Sequence, residues 1–500
     1  MLDQVFQRTK SKEDVSFGLV WMARKRVEEI ERQNSRLAVS SKRIPKIQRV
    51  ILYDIYSVDQ LNALDKGLSR MLDKMRPPKG SLAMIIGGRR SHSEWLRKSS
   101  VSQAAGGYAS VGHVFAKSGS DKAPVHSISL HLSHLTPSFY CLSLVCRPSK
   151  SFQKRYRRLV KGPTDVDFRV NLPNLKYGMS FWRHWWRPGE SFGNVSTVKH
   201  REIDELMLEL NQWVVKKLRK YVGTGLSLHR PLPMIEVLSV NSIQSDLPKD
   251  RQEAQETNRT NFTDMLHAIG CDVRLCNPYR SNWYKLYTAF RSYQYDYDKF
   301  QLVVGKTELQ KLEKKRPDER FQDIISRELR FFAPGLSASL ATESLFRHLR
   351  REVVSLRNQL SSDIDQQRFK VNKIGGFKAK VRGMARIDSI NFLQQRIWSE
   401  LGEDYGLASL DRSIADVKRS SYSAKEESEI TFKKDRQDAL ESLYSSNQSL
   451  LSLIKPAFGD LVSLKHTSMM YRLQVWIAVL TILLLILTFI LVPSSVWPWS

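Results

Sequence analysis

The chain has 500 residues, with 79 Lys and Arg against 51 Asp and Glu, and a net charge of +28. A hydrophobic fraction of 41% is enough for real cores and excludes a disordered chain, and the length fits about two to four domains. A positive excess of this size repels itself unless an anion lies near. It favours nucleic acid, anionic lipid or an acidic protein as partner.

The first part of the chain predicts alternating helices and strands. Apolar spacing predicts a helix at about residues 14–33 and a buried strand at 49–56. Ser57 and Gln60 then form an S-x-x-Q capping box that opens a second helix. The apolar face of this helix comprises Leu61, Leu64, Leu68 and Leu72. A further strand at 81–86 would complete a β-α-β unit.

The middle of the chain predicts a region rich in strands. The segments "VHSISLHLSHL" and "FYCLSLVC", on either side of Thr136-Pro137-Ser138, predict an antiparallel hairpin. A helix is expected from residue 201 to 222, where Gly223 ends it. Further strands are predicted at residues 234–240, 271–276 and 300–305. From about residue 319 the apolar period becomes 3.6, and long helices follow, with an apolar stripe of Leu345, Leu349, Val353, Leu356, Leu360 and Ile364.

The C-terminal segment differs from everything before it. Residues 473–492 contain no charged side chain, and these 20 residues, at about 1.5 Å each, span the roughly 30 Å of a bilayer core. Trp476 near one end, and Trp497 and Trp499 beyond the other, are typical of an aromatic belt, and Pro493 ends the helix. The segment predicts one transmembrane helix and a tail anchor. The alternative is a buried core helix.

Flanking charges predict the orientation of this span. Lys465, His466 and Arg472 precede it, and no charged residue follows. The positive-inside rule then places the body and the N-terminus in the cytoplasm. The expected architecture is an α/β domain with a mixed sheet in residues 1–310, with room for two subdomains. A helical region at 319–471, the membrane span at 473–492 and a short far-side tail at 493–500 follow it.

A heptad pattern precedes the span and predicts self-association. Its first apolar row comprises Leu440, Asn447, Ile454 and Leu461. Its second row, three residues later in each heptad, comprises Leu443, Leu450, Ala457 and Leu464. A single Asn in the first row is typical of helices that form homo-oligomers. Pro456 is expected to kink or split the helix. The alternative is a helix that packs on its own domain.

The cysteines and histidines do not predict a metal site. Cys141 and Cys146 lie five residues apart on a predicted strand and therefore face opposite sides of it. His131 and His134, three residues apart, are separated in the same way. Neither a P-loop nor a dinucleotide-binding motif is present, so no cofactor is predicted. We expect the cysteines to be reduced, buried thiols.

The segment 147–161, "RPSKSFQKRYRRLVK", contains seven basic residues and no acid. Phe152 and Tyr156 alternate with the cations, a composition typical of phosphate contacts combined with base stacking. The candidate anion- or nucleic-acid-binding residues are Lys154, Arg155, Arg157 and Arg158. The alternative is a solvated helix or loop face.

The segment 85–95, "IIGGRRSHSEW", predicts a strand, a glycine turn and a helix N-terminus. Free backbone N–H groups at such a turn can bind phosphate, and Arg89 and Arg90 would add charge. A plain strand-to-helix turn is the alternative. An enzyme acting on a phosphate-bearing substrate could use these arginines together with Asp54, although a structural role explains Asp54 equally well.

The segment 368–382, "RFKVNKIGGFKAKVR", is predicted as a basic β-ribbon. A three-residue loop, 374–376, would place its apolar residues on one face. The other face would then carry Arg368, Lys370, Lys378, Lys380 and Arg382. Opposed like charges cost stability unless an anion covers them, so this ribbon is a second candidate anion site. A basic surface ribbon without a partner is the alternative.

These features together predict a tail-anchored membrane protein whose basic body binds nucleic acid or anionic lipid. The heptad pattern predicts that it forms homo-oligomers. An α/β domain feeding a long helix into a C-terminal span also resembles, in architecture, the CorA-type magnesium channels. Those channels have two spans and a Gly-Met-Asn signature, whereas here one span is followed by "VPSSVWPWS". A transport component and a membrane-tethered enzyme are therefore the alternatives.

Overall fold

The computed structural model describes two compact units of the chain. One comprises Met1–Ser344 with Glu403–Gln437, and the other Leu345–Gly402 with Asp438–Ser500. Within them the described residues are 44–74, 108–116, 123–161, 195–223, 225–226, 231–243, 278–280, 284–287, 299–312, 321–367, 375–401, 416 and 430–491. The predicted helix at 14–33 and the predicted strands at 81–86 and 271–276 lie outside these residues.

One mixed sheet forms the centre of the first unit. Its described strands are β1 Lys46–Ser57, β2 Tyr108–Phe115, β3 Val125–Thr136, β4 Phe139–Pro148, β5 Met234–Val240, β6 Pro278–Arg280, β7 Tyr284–Tyr287 and β8 Lys299–Gly305. Their order in the sheet is β2-β3-β4-β1-β5-β8-β7-β6. Neighbouring strands are antiparallel except β5 and β8, which are parallel. The predicted mixed α/β domain is confirmed, as are the strands predicted at 49–56, 234–240 and 300–305.

The described helices are α1 Leu61–Lys74, α2 Lys150–Lys161, α3 Val195–Tyr221, α4 Lys306–Leu312, α5 Phe321–Gln367, α6 Gly375–Leu401 and α7 Phe432–Leu491. The predicted start of α1 is confirmed, because the Gln60 side chain accepts the Ser57 backbone N–H at 3.1 Å. The predicted end of α3 is confirmed as well. Gly223 follows that helix with φ of +85°, a left-handed conformation that glycine adopts without strain.

The hairpin of β3 and β4 is confirmed, with Pro137 and Ser138 between the paired residues Thr136 and Phe139. Strand β1 lies between β4 and β5, and its residues 47–56 are all buried. A strand covered on both faces reads as a continuous apolar run, which is why "RVILYDIY" predicts it so clearly.

Helices α1, α2 and α3 cover one face of the sheet and share a core with it. Helix α3 packs against both α1 and α2. Gly67 allows α1 to lie close to the end of α3, because a side chain at that position would collide with the backbone of Tyr221. Alternate residues of β1 point to the other face. There the Tyr53 hydroxyl lies 3.1 Å from the Ser344 hydroxyl, and Arg49 donates to Ser326, both in α5.

The first turn of α7 is fixed within the same unit by a buried arginine. Arg436 donates to Glu343 at 2.8 Å and to Asp435 at 2.8 Å. Tyr279 of β6 donates to the same Asp435 carboxylate, and its ring packs edge-on against Phe432. Burial lowers the pKa of Arg436, but the charges of Glu343 and Asp435 outweigh burial and raise it above its ordinary value. The arginine therefore stays charged.

The second unit contains the rest of α5 together with α6 and most of α7. Trp398 of α6 and Tyr444 of α7 stack with ring centroids 4.2 Å apart. The Asn447 amide donates to the Phe346 carbonyl at 3.1 Å. The buried residues of α7 in this unit are Leu440, Leu443, Asn447, Leu451 and Ile454. The first heptads of the predicted oligomer seam therefore pack against helices of the same chain, as the alternative predicted. The side chains of Ala457, Leu461 and Leu464 lie outside the described residues, so self-association through the rest of the seam stays a prediction.

The predicted β-ribbon at 368–382 is wrong in its second half. Residues 375–382 are the first turns of α6, and residues 368–374 lie outside the described residues. A short apolar run can match both periods. Here positions 377, 381 and 384 fit period 3.6 and continue into Ile387 and Ile390, which are buried. Residues 375–382 therefore form a helix, in which positions 378, 380 and 382 do not share one face.

Helix α7 continues through Pro456, so the predicted split at this proline is wrong. Further along, its apolar side chains are exposed. Trp476 is 67% exposed and Leu484 is 64% exposed. Among the residues that the structure describes, no helix combines the length and the apolar character needed to cross a membrane.

Candidate functional site

Helix α2 turns the basic segment 147–161 into a helix with two different sides. The Ser149 hydroxyl accepts the Phe152 N–H at 3.3 Å and caps the helix at its first residue. Phe152, Tyr156 and Val160 recur every four residues and are at most 1% exposed. Both rings lie in the core, so the predicted stacking of bases on Phe152 and Tyr156 is wrong. The pattern of period four in the sequence indicates this packing.

The cations of α2 lie on the opposite side of the helix. Positions 150, 154, 157 and 161 follow one another at intervals of four, three and four residues, which keeps them in one row, and position 158 adjoins it. We call this row the basic stripe, and it comprises Lys150, Lys154, Arg157, Arg158 and Lys161. All five side chains are exposed, and none has an ion-pair partner among the described residues. From end to end the row is about 16 Å long at 1.5 Å per residue.

Arg155 does not belong to the stripe. Its guanidinium forms two parallel contacts with Glu209 of α3, with Nη1 3.0 Å from Oε1 and Nη2 2.8 Å from Oε2. Both side chains are about half exposed, at 58% and 45%, so the pair adds little stability. It does align α2 with α3. Of the four cations predicted here, Lys154, Arg157 and Arg158 remain available to an external anion.

The positive surface continues past the start of α2. Arg147, at the end of β4, and His126, on β3, are both exposed. The pKa of His126 is lowered by partial burial and by the charges of Arg147 and Lys150. Because both cations lower it, the pKa of His126 reports the positive potential at this end of the stripe.

The other predicted cationic positions are not tested by the described residues. Arg89, Arg90, Arg368 and Lys370 lie outside the described residues. Lys378, Lys380 and Arg382 lie in the first turns of α6, and their side chains also lie outside the described part of the chain.

Asp54 has a structural role. One carboxylate oxygen accepts the Ile55 N–H at 2.8 Å, and the other accepts the Gly225 N–H at 3.2 Å. A side chain at position 225 would collide with this carboxylate, so glycine is required there. The carboxylate therefore fixes the chain after α3 against β1, which supports the structural interpretation of Asp54.

The two thiols of β4 and two histidines of β3, His131 and His134, are buried. Cys146 belongs to the core beneath α1, α2 and α3, whereas Cys141 lies outside that core, so the two free thiols are separated as predicted. Burial raises the pKa of Cys141 to about 12. His134 packs 4.7 Å from the Tyr140 ring, and His131 is also buried. The described residues include no group of three or more His, Cys, Asp or Glu side chains that could hold a metal ion.

A buried ionic network in the core was not predicted from the sequence. Lys299 of β8 lies 3.0 Å from Asp204 of α3 and 3.0 Å from Glu236 of β5. Gln301 donates to the other oxygen of Glu236 at 3.0 Å. Burial raises the pKa of Glu236, and the charge of Lys299 offsets only part of that effect. The sequence signal was a Glu inside the apolar strand "MIEVLSV", since a charge on a buried strand needs a partner.

No protein family matches the chain, and neither a curated protein nor a solved structure is similar to it. Function must therefore be argued from the side chains themselves, and the basic stripe is the most informative group of them.

Proposed function

We propose that the chain is a single-pass, tail-anchored membrane protein whose α/β domain binds a partner rich in phosphate groups, either nucleic acid or anionic lipid. The observation that supports this best is the basic stripe of α2. Five exposed cations on three turns of one helix repel one another, and nothing among the described residues neutralises them. An external row of anions would relieve that repulsion.

The anchor is supported by the sequence of residues 473–492 and by the side chains described there. The sequence of these 20 residues contains no charge, and 20 helical residues match a bilayer core in length. The side chains of residues 486 and 488–492 lie outside those that the structure describes. The described side chains of α7 beyond Tyr471 include Leu473, Trp476, Leu480 and Leu484, all more than half exposed. Water is a poor solvent for such a surface, whereas hydrocarbon is a good one. The charge distribution favours a cytoplasmic N-terminus.

Self-association remains part of the proposal. The first heptads, up to Ile454, are occupied within the chain. The last part of the seam, with Ala457, Leu461 and Leu464, and the anchoring segment are the parts of α7 that could pair between copies.

Substitutions within the full chain test the anchor. Leu480→Arg together with Leu484→Arg places two charges in the apolar segment, and the chain should leave the membrane fraction or fail to insert. The control is Phe392→Arg together with Leu453→Arg, because these residues are at least as exposed, at 66% and 72%, but lie outside the segment. If the first variant stays in membranes after an alkaline wash, as the control does, the anchor is disproved.

Inorganic polyphosphate tests the anion site without choosing between lipid and nucleic acid. The full chain in neutral detergent micelles should bind polyphosphate, and Lys154→Gln with Arg157→Gln and Lys161→Gln should weaken that binding. We call this combination the stripe variant. Unchanged binding by the stripe variant would show that the anion site lies elsewhere.

A further inference from the structure

We infer that the basic stripe binds the sugar-phosphate backbone of nucleic acid and does so without reading its sequence. This inference rests on the proposed function, and it names the partner of the same site.

The shape of the stripe favours a linear polyanion. Its cations form a single row along one helix, about 16 Å long, with steps of about 4.5–6 Å between successive positions. These steps are comparable with the spacing of phosphates along one nucleic-acid strand. A lipid headgroup surface extends in two dimensions and gives a row of this kind no advantage.

The aromatic side chains of α2 explain why the contact is limited to the backbone. Stacking on bases requires exposed rings, whereas Phe152 and Tyr156 are buried beneath the helix. Exposed ammonium and guanidinium groups that meet phosphates provide affinity, but they carry no sequence information. Binding should therefore be independent of base sequence.

The surroundings of the stripe disfavour a lipid surface. Helices that bind in the interfacial region insert apolar side chains between the lipids. The apolar side of α2 faces the protein core instead. Ile430, 40% exposed, is the one large exposed apolar side chain in the described part of this unit, and it lies outside α1–α3.

The stripe is also held in a fixed orientation. The bidentate pair of Arg155 with Glu209 ties α2 to α3, and Phe152, Tyr156 and Val160 lock its inner side. The row is thus presented on a rigid element, so that less conformational entropy is lost on binding.

Fluorescence anisotropy with the full chain in neutral micelles tests the inference. The probes are two labelled DNA duplexes of equal length and unrelated sequence. The wild-type chain should bind both with affinities within about threefold of each other. The stripe variant should bind both about tenfold more weakly or worse, because three phosphate contacts are lost.

A control variant shows whether duplex binding depends on the stripe itself or only on the net charge of the chain. Lys66→Gln with Arg70→Gln and Lys74→Gln removes the same three charges from α1, where the cations are exposed but lie among Asp65 and Asp73. We call it the α1 control. It should bind the duplexes nearly as the wild type does. Equal losses in both variants would overturn the inference, since binding would then follow net charge.

Vesicles distinguish failure of the inference from failure of the proposed function. If the stripe binds vesicles of anionic phospholipid and polyphosphate but neither duplex, the partner is lipid, and only the inference is overturned. Binding of one duplex more than tenfold tighter than the other would overturn sequence independence. If the chain binds neither duplex, vesicles nor polyphosphate, the proposed function is overturned as well.

Discussion

The cations of α2 and the single cation of the β5–β8 core show two different uses of positive charge in one domain. Lys299 is 4% exposed and lies 3.0 Å from each of two carboxylates. The stripe cations are exposed and have no ion-pair partner among the described residues. A buried ammonium must be neutralised within the chain for the domain to fold. An exposed cation is solvated by water and can bind an external anion.

Removing the buried cation should have the largest effect on stability. Lys299→Met leaves Asp204 and Glu236 buried without their counter-ion, which should cost about 3–5 kcal/mol of unfolding free energy. Urea unfolding followed by circular dichroism measures this loss. Lys220→Met, an exposed cation of α3, is the matched control and should change stability by about 0.5 kcal/mol or less. Similar midpoints for the two variants would contradict the contrast between buried and exposed cations.

The two carboxylates around Lys299 should not be equivalent. Burial disfavours the charged form of Glu236 and raises its pKa, so Asp204 is expected to contribute more to the neutralisation of Lys299. Asp204→Asn should therefore cost about 2 kcal/mol, and Glu236→Gln about 1 kcal/mol or less, at neutral pH. Urea midpoints measure both, and the reverse order would exclude this distribution of charge.

The same network predicts a pH dependence. The unfolded chain releases the Glu236 proton at lower pH than the folded chain does, so this group's contribution to stability is complete below its ordinary pKa. That contribution is lost as pH rises through the folded-state pKa. As pH rises above the ordinary pKa of a glutamate, the stability of Glu236→Gln should fall less than that of the wild type. Parallel profiles would show that Glu236 is ionised in the fold.

The stripe variant should leave the fold intact. Its three positions are exposed and have no ion-pair partner within the described residues. Their replacement should therefore change the unfolding free energy by about 0.5 kcal/mol or less. The expected change is a slight stabilisation, because repulsion between the cations is relieved. A loss of several kcal/mol in urea unfolding would mean that these side chains stabilise the domain, and the proposed division of roles would be wrong.

The smallest expected effect concerns His126, at the boundary of the stripe. Partial burial and the charges of Arg147 and Lys150 hold its pKa below the ordinary value. Arg147→Gln should raise that pKa toward normal, and a bound duplex should raise it as well. Nuclear magnetic resonance of labelled histidine follows both changes. A pKa that does not respond to Arg147→Gln would show that Arg147 does not contribute to the shift and that burial and Lys150 set it.

Sequence patterns predicted the elements whose signals are local. The strand at 49–56, the capping box of Ser57 and Gln60 and the hairpin at Pro137-Ser138 all depend on neighbouring residues. The ribbon predicted at 368–382 is wrong in its second half, 375–382. A run of a few apolar residues fits period 2 and period 3.6 equally, and only the longer apolar stripe through Ile387 distinguishes them.

The buried network shows what local patterns cannot supply. Asp204, Glu236 and Lys299 are far apart in the chain, and their contact depends on the parallel pairing of β5 with β8 beneath α3. The same limit applies to Asn447. Its heptad position predicted a partner helix correctly, but the sequence did not show that the helix belongs to the same chain.

The salt dependence of duplex binding tests the central claim most directly, because it counts the phosphate contacts that the stripe makes. Logarithmic plots of affinity against salt should have a slope that is smaller by about 2–3 in the stripe variant than in the wild type. The α1 control should keep the wild-type slope. If the stripe variant and the wild type have the same slope, the exposed cations of α2 do not contact phosphate, and the claim is contradicted.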